Sequence, residues 1–156
     1  MQFGKKIPNL LSLQLDGKSL EWVESWTYLG VKLLSYKHFN CCIDDKVNSF
    51  YRSANAILRI DGRSNELVML QLLESHSLSV LSYGIEVIHV ANADTRRKLR
   101  VAYNSIFRKI FNYQRNESVT DLQHQLGRPT WEELVLKRTE QFRVKLSHCD
   151  FISTLL

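Results

Sequence analysis

The sequence predicts an α+β chain, mostly α, in which a short N-terminal antiparallel β meander is followed by a five- or six-helix bundle. Three observations carry this expectation. Apolar residues alternate around an Asp16-Gly17 turn signal near the start. Beyond Asn40 the apolar spacing changes to three and four, the helical period. Helix-capping residues then recur along the rest of the chain. The expected division is residues 1–36 as the meander, 37–150 as the helical domain and 151–156 as a C-terminal tail.

Residues 11–15 alternate apolar and polar, Asp16-Gly17 suits a two-residue hairpin loop, and Leu20-Glu21-Trp22-Val23 restarts a β-like run. Residues 26–34, with Tyr28, Val31 and Leu33, suit a third short strand. So small a sheet needs a packing partner. From Asn40, which can cap the helix start, Ile43, Val47, Phe50, Ala54 and Ile57 form one helical stripe. Asp61-Gly62-Arg63-Ser64 ends that helix, and residues 66–76 resume in register through Leu67, Leu70 and Leu73. Residues 78–91 are ambiguous. Ile85, Val87 and His89 alternate as in a strand, yet apolar residues on nearly all sides favour a buried helix. Asn92 or Asp94 opens a long helix to about Asn112, buried through Leu99, Ala102, Tyr103, Ile106 and Ile110. Ser118-x-x-Asp121 and Thr130-x-x-Glu133 are capping-box patterns that start two more helices, and Gly127-Arg128-Pro129 separates them.

Composition narrows the function classes. With 156 residues, 44% hydrophobic and 24% charged, the chain can bury a core of its own, and six Gly and two Pro argue against low-complexity or collagenous structure. No apolar run reaches the roughly 18 residues of a membrane span, and Pro8, Asn9 and Asp16 interrupt any signal-like stretch. The expected setting is intracellular, cytoplasmic or nuclear, not secreted. Three cysteines agree, since Cys41 and Cys42 are adjacent and Cys149 is remote.

Motifs for chemistry are scarce. Neither a phosphate-binding glycine loop nor a nucleophile elbow is present, and His38, Cys41, Cys42, His76, His89, His124 and Cys149 repeat no zinc spacing. No catalytic residue, metal ligand, cofactor or small-molecule substrate is therefore expected. Ile43-Asp44-Asp45 superficially resembles a metal-binding paired aspartate, but its place at the start of the most regular helix makes both carboxylates partners of the helix dipole. Asn116-Glu117-Ser118 is a glycosylation sequon that reads as an ordinary helix start without a secretory signal.

Charge is more informative. Residues 94–115 hold seven basic side chains against one acidic, more than the whole net charge of +5. On a helix Arg97, Arg100, Asn104 and Arg108 fall within about an 80° sector with Arg96 at its edge, while Leu99, Tyr103, Ile106 and Ile110 lie on another side. Phe111 lies in the basic sector and Phe107 at its border. One face can pack while the other meets phosphates, and an aromatic ring can reach a sugar or base. The competing reading is a solvated face whose arginines pair with Glu132, Glu133 or Glu140 while Phe107 and Phe111 join the core. Trp22, Trp26 and Tyr28 likewise admit a stacking platform or, preferably, alternation between core and surface.

The run Trp26-Thr27-Tyr28-Leu29-Gly30-Val31, after a hairpin, resembles the Tyr-Leu-Gly-Val segment of LINE-type non-LTR retrotransposon reverse transcriptases. Met1-Gln2-Phe3-Gly4 and Leu20-Glu21-Trp22-Val23 upstream, and Tyr83-Gly84-Ile85-Glu86 and Asn104-Ser105-Ile106-Phe107-Arg108-Lys109-Ile110 downstream, follow the family's order across residues 1–146. The resemblance implies the end of a palm, with Tyr28, Leu29 and Gly30 in a primer-grip-like strand, followed by a thumb. Thumb helices pack on a template-primer duplex, so an RNA/DNA or DNA duplex is the implied partner, met by Arg96, Arg97, Arg100, Asn104, Arg108 and Phe111. The family's Tyr-x-Asp-Asp turn and its two metals belong upstream of the primer grip and are not matched here. The resemblance thus implies a noncatalytic fragment of an RNA-directed DNA polymerase. The alternative is a helical protein-interaction or structural domain, a transposon remnant without nucleic-acid activity.

Overall fold

Turn chemistry organises the N-terminal part of the protein. The computed structural model describes residues 14–35, 40–60, 65–88 and 92–148. Strands β1 (Gln14–Leu15) and β2 (Lys18–Ser19) pair antiparallel across Asp16 and Gly17, whose φ angles of 49° and 73° are those of a two-residue hairpin loop. The β-like run expected at Leu20–Val23 forms no strand. The single strand expected over residues 26–34 is instead a second hairpin, β3 (Ser25–Tyr28) and β4 (Val31–Leu34). Leu29 and Gly30 turn it at φ 46° and 74°. Glycine enters this left-handed region without Cβ strain, and an apolar first turn residue hid the reversal in the sequence. Strand β5 (Asn40–Cys42) pairs with β4, giving, among the described residues, sheets of two and three strands rather than one meander. Asn40 therefore does not cap the next helix. Its Oδ1 accepts from the Cys41 amide at 2.9 Å and the Asn92 side chain at 3.1 Å.

Among the described residues six helices follow: α1 (Asp44–Ile60), α2 (Glu66–Ser82), α3 (Ile85–Ile88), α4 (Ala93–Ile110), α5 (Thr120–Gln125) and α6 (Trp131–Ser147). The stripe foreseen for α1 is buried at Ile43, Phe50 and Ala54 and half-buried at Val47 and Ile57. The division expected near Ser77 does not occur, and the helix preferred to a strand over residues 78–91 is split, with 78–82 closing α2 and 85–88 forming α3. Ser77 is fully buried within α2 and shares a 2.8 Å hydrogen bond with Ser53 of α1, so a small hydroxyl that reads as punctuation is an interhelical contact. The helix breaks at Tyr83-Gly84, where Gly84 has φ 65°. The short α3 follows, and residues 89–91 lie outside the described part.

Asn92 caps α4 by accepting from the Thr95 amide at 2.8 Å. The capping box expected at Ser118 is not formed. Val119 stands at the N-cap of α5 with no side-chain cap bond, and its burial fixes the chain there instead. The box at Thr130 is complete: Thr130 Oγ1 accepts from the Glu133 amide, and Glu133 Oε2 accepts from the Thr130 amide at 2.8 Å.

The core joins α1, α2 and α4 through Phe50, Leu73, Leu81, Leu99, Ala102 and Phe107. Tyr103 packs edge-on to Phe107 and against Trp131, and donates its hydroxyl to the Pro129 carbonyl at 2.7 Å. The chain before α6 is also held by Arg128, whose Nε lies 2.9 Å from Glu74 of α2. The three-stranded sheet covers this core only in part. Trp26, Leu33 and Cys41 are cross-strand partners on one face, yet Cys41 is buried, Leu33 half-buried and Trp26 60% exposed.

Candidate nucleic-acid interface

The buried face of α4, formed by Thr95, Leu99, Ala102, Tyr103, Ile106 and Phe107, fixes which side of the helix can meet a partner. Ile110, expected inside, is half-buried at its end. The six residues expected on the outer side separate into two groups along the axis.

The C-terminal group is used internally. Arg108 donates through Nε and Nη2, at 3.0 and 2.9 Å, to the Glu117 carbonyl, so its guanidinium closes the connection to α5. Asn104 Oδ1 accepts from Gln123 Nε2 at 3.2 Å, supplying a partner to an amide that is otherwise buried. Phe111 is half-buried against the core and caps α4, its amide donating to the Phe107 carbonyl at 3.0 Å. Phe107 is 1% exposed. These geometries favour the packing reading at the C-terminal half.

At the N-terminal end Arg96, Arg97 and Arg100 are exposed. Arg100 lies 3.5 Å from Glu132 of α6, an open ion pair of the kind worth about 0 to 1 kcal/mol. Among the described residues the guanidinium groups of Arg96 and Arg97 form no ion pair or hydrogen bond. All three arginines stand over an open groove of ≈ 390 Å³ between α4 and α6. Its walls are apolar through Ala93, Trp131, Val135 and Leu136. The α6 side was not foreseen, because only the crossing of α6 beneath the arginines makes Trp131 and Val135 a floor.

The other flank of α4 is tied to α1. Lys98 pairs with Asp44 at 2.8 Å, and Lys109 donates to Asn55 at 2.9 Å. The Lys98 ammonium holds the Asp44 carboxyl below its ordinary range. Asp44 and Asp45 occupy the first turn of α1, as a dipole-facing pair would. Among the described residues no three His, Cys, Asp or Glu side chains come together as a possible metal site.

Of the primer-grip-like residues, Tyr28 ends β3 and Leu29 and Gly30 form the β3–β4 turn, so they are not one continuous strand. Tyr28 and Leu29 are 62% and 70% exposed, and the Leu29 carbonyl accepts from the Tyr83 hydroxyl at 3.0 Å. Lys46 binds the Tyr83 carbonyl and lies 5.2 Å from its ring centre, so the turn is moored to the α2–α3 break. Trp22 and Trp26, expected to alternate between core and surface, are both exposed and line an apolar shelf with Leu20, Val23 and Tyr28. Among the described residues, no helix is long and apolar enough to cross a membrane. No protein-family model, curated protein or solved structure shows significant similarity to this chain.

Proposed function

We propose that this chain is a noncatalytic, thumb-type module that grips a nucleic-acid duplex, an RNA/DNA hybrid or DNA, through the N-terminal half of α4. The observation that carries the reading is the pair Arg96 and Arg97. Both are exposed without a described partner, one turn from Arg100, on a helix whose opposite face is fixed in the core. Such a face can neutralise phosphates without rearranging the fold, and it positions a duplex without reading its sequence. Arg108, Asn104 and Phe111 are left out of the contact set because each already serves a neighbour.

The test is fluorescence anisotropy of a labelled RNA/DNA hybrid at several salt concentrations. If Arg96, Arg97 and Arg100 each neutralise a phosphate, log affinity against log salt falls with a slope near −0.9 per contact. The Arg96→Gln/Arg97→Gln variant should then flatten the slope by roughly 2 units. Salt-insensitive binding, or an unchanged slope in the folded variant, rejects the reading. Template-directed incorporation by the purified chain, lost on Asp44→Asn, would restore a catalytic role to the paired aspartates.

The apolar shelf around Trp22, Trp26 and Tyr28 favours a second reading, a protein-interaction module. That reading predicts no salt-dependent affinity for nucleic acid.

A further inference from the structure

The groove between α4 and α6 has a chemistry that phosphates do not use. Trp131 and Val135, each 4% exposed, form its floor, and Leu136, 67% exposed, continues that apolar surface to the lip. A lone exposed leucine is unremarkable, but one that extends a buried floor adds contact area for an incoming apolar group. The rim is cationic: among the described residues three guanidiniums face a single carboxylate, Glu132, which is already shared with Arg100. The Trp131 ring is packed against Tyr103, so the groove offers little open aromatic face for a base to stack on. Its occupant must carry aliphatic side chains on one side and negative charge on the flank.

We propose that the α4–α6 groove docks an acidic amphipathic helix of a protein partner, its apolar stripe on Leu136 above the Trp131 and Val135 floor and its carboxylates on Arg96 and Arg97. This is helix-in-groove recognition, with anchors at i, i+3, i+4 and i+7 supplying affinity and the basic rim supplying orientation and encounter rate. The inference does not depend on the duplex reading. Because both partners need the same arginines, a docked helix withdraws them from nucleic acid, and the two ligands compete.

The experiment titrates the full chain against two labelled synthetic peptides of identical composition. One places leucines at i, i+3, i+4 and i+7 with glutamates on the flank, and the other scatters the leucines around the helix. The patterned peptide should bind at least about tenfold tighter, the factor set by about 1.4 kcal/mol of anchor burial. Leu136→Gln should remove most of that advantage and leave hybrid binding and its salt slope unchanged. Arg96→Gln/Arg97→Gln should weaken both ligands, and circular dichroism checks that each variant folds. Equal binding of the two peptides, or indifference of the patterned peptide to Leu136→Gln, overturns the proposal. So does an equal loss of hybrid affinity in Leu136→Gln, which would make the floor part of a nucleic-acid site. Peptide binding without salt-sensitive hybrid binding sustains the groove and rejects the duplex reading, and the converse rejects the groove alone.

Discussion

The three-stranded sheet and the helical bundle use apolar residues in opposite ways. The bundle closes over Phe50, Leu73, Leu81 and Ala102, none of which retains solvent exposure. The sheet carries Trp26 and Tyr28 on β3, about 60% exposed, on the face whose other end is buried at Cys41. The bundle thus supplies its own core, whereas the sheet shares a corner of that core and leaves the rest of its apolar face open. Stability should reside in the helices and binding capacity in the sheet and groove.

The largest test of this contrast is Phe50→Ala, which should cost about 3 to 5 kcal/mol in urea unfolding, because a fully buried ring leaves a cavity among packed helices. Thr130→Ala should cost about 1 kcal/mol by breaking the capping box of α6. Gly30→Ala should also cost about 1 kcal/mol through backbone strain at φ 74°, since a Cβ there would meet Tyr83 only at an ordinary 3.5 Å. Trp26→Ser should stay within about 0.5 kcal/mol, as an exposed residue does. A loss from Trp26→Ser comparable to that from Phe50→Ala would erase the distinction between the two regions.

A pH series sharpens it further within the bundle. Burial raises the Glu74 carboxyl above 4.5, only partly opposed by Arg128, so the folded state holds this proton more tightly than the unfolded chain. Stability contributed at Glu74 is full below about 4.5 and is lost as pH rises through the raised value. Glu133 behaves oppositely. Hydrogen bonds from Thr130 lower its carboxyl below 4.5, so its contribution is present above that value and is lost as pH falls through the lowered one. Urea midpoints across this range should decline with rising pH on the neutral side less steeply in Glu74→Gln, and Glu133→Ala should remove part of the decline on the acid side.

The features legible in the sequence were those set by local periodicity and local hydrogen bonding. The α1 stripe, the Asn92 cap, the Asp16-Gly17 turn and the Thr130 box each depend on residues within a few positions of one another. The features that misled depend on distant partners. Ser77 became an interhelical contact because Ser53 faces it, and the Leu29-Gly30 reversal hides between two apolar arms that alternate as one strand would. In the candidate site, helical spacing put the arginines on one side of α4. It could not foretell that Glu117 and Gln123 would engage Arg108 and Asn104, since both lie beyond the helix end. The groove floor was illegible for the same reason, because it exists only where α6 crosses α4.

The mooring of the Leu29-Gly30 turn to Tyr83 joins residues 54 positions apart, whereas α1 and α2 are consecutive helices. Closing the longer loop sacrifices more chain entropy before any contact compensates it. The helical hairpin can therefore assemble first, with the β3–β4 hairpin docking onto a surface already formed. The reverse step should be the easier opening: with Tyr83 releasing the turn, hydrogen exchange should reach the amides of β3 and β4 before those of α1, α2 and α4.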